Sequence, residues 1–156
     1  MEKNVLIAID DSENAMRGVN FVAGLFGKDI HVTLFSVLHD TETICEYNSP
    51  SLTPYFRTER ESFCALEEKK KKLLESAVEA ARCCLVNAGL PAELIKVKIE
   101  PRSKGIARDI IREADSGYDV VVLGKRGISG VQEFFFGSVS QKVINGVKNA
   151  SVLVVS

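Results

Sequence analysis

The sequence predicts an α/β fold, a single-domain open doubly wound sheet of five parallel strands, and three observations carry that prediction. Apolar runs and amphipathic stretches alternate along the whole chain. Most of the runs are solidly apolar, as strands are when both faces of a sheet are covered. The segments between them are long enough for right-handed helical crossovers, which parallel strands require. A length of 156 residues suits one domain over 1–156, large enough for a core without metal or disulfide staples.

Val5 to Ile9 forms the first strand, ended by Asp10-Asp11-Ser12, where Asp11 or Ser12 can cap a helix beginning near Glu13. That helix sets Ala15, Val19, Val22, Ala23 and Phe26 at helical spacing and stops at Gly27. Ile30 to Leu38 is rich in β-branched residues and gives the second strand. From His39 to about Arg60, with prolines at 50 and 54, the chain reads as an irregular segment too long for a plain connector, a lid or mobile loop. A long helix then runs from about Glu61 to Ala88, stopped by Gly89 and Pro91.

Leu94 to Glu100 alternates as a third strand, and Gly105 to Ala114 is a short helix with Ile106, Ile110 and Ile111 on one side. Asp119 to Leu123 is the fourth strand, Gly137 to Val147 a helix, and Val152 to Val155 the last strand. In such sheets ligands collect outside the carboxyl ends of the strands where strand order reverses. The loops after Ile9, Leu38 and Leu123 are therefore the candidate site.

Composition narrows the function. Twenty basic against 21 acidic residues give a net charge of −1, with no broad electropositive field for a nucleic acid backbone. The EEKKKK run at 67–72 places acids before bases on a helix and reads as a solvated face. No segment approaches membrane-spanning length, and the opening residues do not form a signal sequence. Cys45, Cys64, Cys83 and Cys84 lack C-x-x-C spacing and read as free thiols in a reducing compartment. The expected location is cytoplasmic.

After Leu123 the glycines are spaced Gly124-x2-Gly127-x9-Gly137-Ser138. Glycines at 124 and 127 would let backbone amides approach an anion, and Gly137-Ser138 opens a helix whose free N–H groups favour a phosphate. The Ser138 hydroxyl adds a donor, and Lys125 and Arg126 supply charge. The pattern is neither a Walker A loop nor the Gly-x-Gly-x2-Gly fingerprint. Spacing alone also allows glycines after the strand that merely serve a tight turn, and a Gly137 that merely permits close helix packing. Val131, Phe134, Phe135 and Phe136, in the turn between, are expected to pack mostly against the sheet edge or a partner.

The segment GKRGISGVQEFFFGSVSQKVI, with SVLVV after it and VLIAIDDSE near the start, resembles the universal stress protein family over nearly the whole chain. Its ATP-binding subgroup carries Gly-x2-Gly-x9-Gly-Ser/Thr. The resemblance implies a Rossmann-like, adenine nucleotide alpha hydrolase-like fold and a dimeric stress-response switch that binds ATP, or AMP or ADP, with or without Mg. It implies that Gly124, Gly127, Gly137, Ser138 and Val139 contact phosphates and ribose, and Leu123, Lys125 and Arg126 are expected at the same cofactor site. Ala8, Ile9 and Asp10 would hold adenine and ribose, with Val37 packing on the base. Asp10 also reads as a helix-capping carboxylate. Asp11 stands where many relatives have glycine, and Ser151 where proline is common.

The last strand ends in an apolar backbone edge suited to pairing across a two-fold axis, and the resemblance implies the same homodimer. A protein partner, not identified by the sequence, would read the nucleotide state. Among enzymes a slow ATPase is the strongest candidate, yet His31 sits within a strand and His39 alone reaches a strand end, so no catalytic or metal-binding residue is assigned. A receiver domain fails because the third strand ends Glu100-Pro-Arg-Ser and the last strand ends at Val155. A member of the family that has lost nucleotide binding and acts as an interaction module is the other alternative.

Overall fold

The computed structural model describes residues 2–10, 12–39, 41–46, 53–125 and 136–156. Its strands are β1 (Lys3–Ala8), β2 (Ile30–Leu38), β3 (Ile95–Pro101), β4 (Val120–Gly124) and β5 (Ser151–Val155), and its helices α1 (Glu13–Leu25), α2 (Glu42–Glu46), α3 (Pro54–Asn87), α4 (Ile106–Ala114) and α5 (Ser138–Gly146). A single 3-10 turn, Ala92–Leu94, leads into β3.

All the strands pair in parallel, in the order β3-β2-β1-β4-β5. The register places Ile7 beside Leu34 on one flank and Val122 on the other. Because side chains alternate along a strand, successive residues feed opposite faces. Val5, Ile7, Val32, Leu34 and Val122 join Val19 and Val22 of α1 and Val78, Ala81 and Leu85 of α3. Leu6, Phe35, Val121 and Leu123 join Ala107, Ile110 and Ala114 of α4 and Val143 of α5. Each fully buried branched side chain contributes about 1.5–3 kcal/mol. The result is a three-layer sandwich with the sheet solidly apolar on both sides, as the strand composition predicts.

Three expectations need correction. The segment expected to be irregular to about Arg60 contains α2, and α3 starts at Pro54 rather than near Glu61. Thr53 caps that start, its hydroxyl accepting from the Phe56 N–H at 3.3 Å, and Pro54 sits where its missing N–H costs nothing. The proline begins the helix instead of breaking it.

On α4 the inner face is Ala107, Ile110 and Ala114, with Ile111 partly buried against the same layer as expected, while Ile106 is exposed. The apolar stripe expected there is thus turned by about one residue. Cys45 and Cys64 are joined in a disulfide, their Cα atoms 5.9 Å apart, which ties α2 to α3. The spacing of 19 residues gives no motif to read; only the packing of α2 on α3 brings the two together. The free-thiol expectation holds for Cys83 and Cys84 alone, so it no longer argues for a reducing compartment. Among the described residues no helix is long and apolar enough to cross a membrane.

Candidate functional site

Strand order reverses between β1 and β4: α1, following β1, packs on one face of the sheet, and α5, following β4, on the other. In sheets of this kind the ligand crevice lies there, outside the carboxyl ends of the strands. Its two rims are the turn after β1 and the segment joining β4 to α5.

On the first rim the Ile9 N–H donates to the Phe35 carbonyl at 2.8 Å, and the Ile9 carbonyl accepts from the buried Ser36 hydroxyl at 2.9 Å. With its side chain in the core as well, Ile9 fixes the rim without presenting a free polar group. Asp10 follows. Its Oδ1 accepts from the Ser12 N–H at 2.9 Å and from the Ser12 hydroxyl, and that hydroxyl in turn accepts from the Ala15 N–H to cap α1. Ser12 is therefore the cap, and Asp10 orients it. The second carboxylate oxygen of Asp10 has no partner among the described residues and remains an acceptor on the rim.

The second rim begins at Gly124, where packing supplies a reason for glycine. A Cβ there would stand 2.8 Å from the backbone carbonyl carbon of Asn14 in α1. Close approach of strand and helix, a role the sequence suggested for Gly137 rather than for this residue, accounts for it. The Gly124 carbonyl accepts from the buried Ser140 hydroxyl at 2.8 Å. The Lys125 N–H donates to the Val155 carbonyl at 2.7 Å, and the Gly137 N–H donates to the Lys125 carbonyl at 2.9 Å. These two amides are thus satisfied by neighbouring carbonyls and do not face a ligand.

The N-terminus of α5 differs. Gly137 occupies the cap position with extended backbone and offers no side-chain acceptor, and the first helical bond runs from the Gln141 N–H to the Gly137 carbonyl. The N–H groups of Ser138, Val139 and Ser140 precede that bond and carry the positive end of the helix dipole. Ser138 is exposed beside them. Ala8, Val37 and Val139 all pack, partly buried, against the core layer that contains Leu123, giving this face of the crevice an apolar wall. Leu123 itself is 3% exposed. Arg126, Gly127, Val131, Phe134 and Phe135 lie outside the described residues, while Phe136 is exposed.

Sequence reasoning missed Asp109. Its carboxylate is 1% exposed and accepts from the N–H groups of Ser103 at 2.8 Å and Lys104 at 3.1 Å. Burial pushes this carboxyl up, but those bonds and the Arg112 guanidinium hold it below the ordinary carboxylate range. It shapes the loop after β3, which the Arg102 N–H pins to the Leu38 carbonyl at the end of β2. An acid in the first turn of a short helix, after Ser-Lys-Gly, was the available signal.

A groove of about 520 Å³ opens away from this site, between the start of β2, β3 and the end of α4. There Lys98 meets Glu113 at 2.6 Å and the Tyr118 hydroxyl donates to Glu113 at 2.9 Å. Its charges compensate each other. His39 is exposed, and among the described residues no group of three or more His, Cys, Asp or Glu gathers to hold a metal.

Comparison with known proteins agrees with this architecture. The profile of the universal stress protein family matches residues 1–156. The universal stress protein YxiE of Bacillus subtilis is 33% identical over 147 residues, covering 92% of each chain. The universal stress protein UspA of Lactobacillus plantarum superposes with a TM-score of 0.69 at 20% identity over 99% of this chain and 97% of its own. A universal stress protein in complex with cAMP superposes with a TM-score of 0.57 at 16% identity, covering 98% and 95%.

Proposed function

The chain belongs to the universal stress protein family, and on that premise we propose that it is a regulatory protein binding ATP, or the related AMP or ADP, in the crevice between β1 and β4. The observation that carries the reading is the open N-terminus of α5: three backbone donors and the Ser138 hydroxyl at the positive end of a helix dipole, uncapped by Gly137. In this reading Ser138 and Val139 hold phosphate, with Gly127 and Arg126 contributing from the same loop. The free oxygen of Asp10 accepts from a ribose hydroxyl or a base amine. Ala8 and Val37 flank the base. One structural neighbour holds cAMP, which widens the nucleotides worth testing.

The switch would act in the cytoplasm as a homodimer through β5. Ser151 donates to Asp119 and Val155 accepts from Lys125, so the odd-numbered residues of β5 face β4, and the N–H and C=O groups of Val152 and Val154 turn to the open edge. An apolar edge of this kind pairs readily with a copy of itself. Dimerisation there and nucleotide binding at the crevice share the carboxyl end of β4 and β5, which lets one influence the other.

An interaction module without nucleotide is favoured by two facts: Lys125 and Gly137 already use their amides on carbonyls, and Gly124 is filled against Asn14. Mass spectrometry of small molecules released from freshly purified protein separates the two. An adenine nucleotide is expected from the native chain and none from Gly127→Val or Asp10→Ala. Dialysis against a chelator beforehand shows whether Mg accompanies it. Equal amounts in all three proteins point to another pocket, and none in the native chain supports the interaction module.

A further inference from the structure

Among the described residues, the first two-thirds of α3 is tied to the short α2 and buries no side chain in the core. The helix is 34 residues long, about 51 Å, yet its buried residues are Val78, Ala81 and Leu85, all near its C-terminal end. Over residues 55–73 it exposes Tyr55 (74%), Phe56 (63%), Phe63 (41%), Leu66 (51%) and Leu73 (49%). Isolated exposed apolar residues need no explanation, but five along one stretch of a helix do.

The row has a period. Phe56, Glu59, Phe63, Leu66, Lys70 and Leu73 follow one another at steps of three and four, the seam of a coiled coil. They also read as a palindrome about a point between residues 64 and 65. Laid antiparallel on a second copy across a two-fold axis there, Phe56 meets Leu73, Glu59 meets Lys70 and Phe63 meets Leu66, and each match occurs twice. A parallel pairing would oppose Glu59 to Glu59 and Lys70 to Lys70, so the charges select the antiparallel one. Lys70 bonds to Glu67 at 2.9 Å within one helix, and its own side chain, 55% exposed, keeps further ammonium donors for the second copy's Glu59. Cys64, next to Phe63, is turned away from the seam and ties α2 to the other side of the helix.

We infer that this seam is a second dimer interface, taking another copy of the same chain as an antiparallel helix pair. The apolar area available on the four apolar seam residues, with Tyr55 at the seam's edge, is about 500 Å² per chain and about 1,000 Å² for the pair, at the lower limit of a specific interface. Pairing at α3 is independent of the β5 edge. A chain that uses both forms a tetramer or a longer assembly, with each interface isologous.

The test removes the edge first. Val154→Pro deletes an outward N–H that β4 does not use, and light scattering after gel filtration of this full-length variant at about 0.1 mM is expected to give a dimer. Adding Phe63→Glu or Leu66→Lys to it lowers the mass to that of a monomer. Mixing the two resulting proteins restores the dimer, because the new carboxylate at 63 meets the new ammonium at 66 across the two-fold axis. Circular dichroism checks that each protein is folded. If the proline unfolds the chain, the same two variants in the native background give the reading: each lowers the mass and their mixture recovers it. A mass indifferent to both substitutions, or a mixture that does not recover, overturns the inference, as does a folded Val154→Pro chain that is already monomeric.

Discussion

The backbone of Asn14 lies so close to Gly124 that a Cβ on the glycine would sit 2.8 Å from its carbonyl carbon and 2.9 Å from its oxygen. The first turn of α1 and the last residue of β4 are thereby locked together at the floor of the crevice. Neither atom is the end of a flexible side chain, so the clash cannot be relieved by a rotamer change. Gly124→Ala is expected to destabilise the protein by about 2 kcal/mol, read as a lower urea midpoint at unchanged slope. A neutral substitution would show that α1 can slide.

Asp109 sets the acid limit of the β3–α4 loop. Its carboxyl is held below the ordinary range, so the unfolded chain takes up the proton more readily. The stability it contributes is therefore fully present above the ordinary carboxylate pKa and is lost as pH falls through the folded value. Asp109→Asn, which keeps one acceptor and turns an N–H₂ toward an N–H, is expected to cost about 2 kcal/mol at pH 7. Melting curves at neutral pH and near pH 3 check the sign, since the gap between variant and native protein should narrow in acid.

Ser138→Asp separates helix energetics from ligand binding. A fixed carboxylate at the first turn of α5 complements the dipole and should raise stability by about 0.5 kcal/mol. The same charge would repel an anion from that position. The expected pair of results is a slightly higher melting temperature together with loss of retained nucleotide; loss of both would mean that the serine is structural.

Reduction of the Cys45–Cys64 disulfide should act locally. Five residues of α2 cannot hold a helix alone, whereas α3 keeps its own cap and core contacts. Amide exchange of Ile44 to Glu46 is expected to speed up at least tenfold under dithiothreitol while Val78 to Leu85 stays protected. Equal protection before and after reduction would mean that packing alone retains α2.

Much of this fold was legible because its strongest signals are local. Solid apolar strands, the Ser12 cap and the Gly89 stop act over a few residues and read directly. Thr53-Pro54 was misread because a proline breaks a helix interior but suits a helix start, and sequence alone does not say which applies. The pairing of Cys45 with Cys64 depends on two helices meeting. Within the site, the exposure of Ser138 at the start of α5 and the use of one Asp10 oxygen on Ser12 are local features, whereas the close contact of Gly124 with Asn14 lies between residues 110 positions apart. Asp109 escaped because a carboxylate that organises a loop resembles any surface acid until its burial is known.

The bond from the Gly137 N–H to the Lys125 carbonyl pins both ends of the intervening stretch at a single point. A tether closed this way behaves as an exchangeable cartridge. Its interior can change length or chemistry while the sheet and α5 keep their places, and doubling the number of residues would add only about 0.6 kcal/mol of closure entropy. If the proposed nucleotide site is right, grafting a different sequence between these two points is expected to change ligand preference without touching the scaffold that carries it.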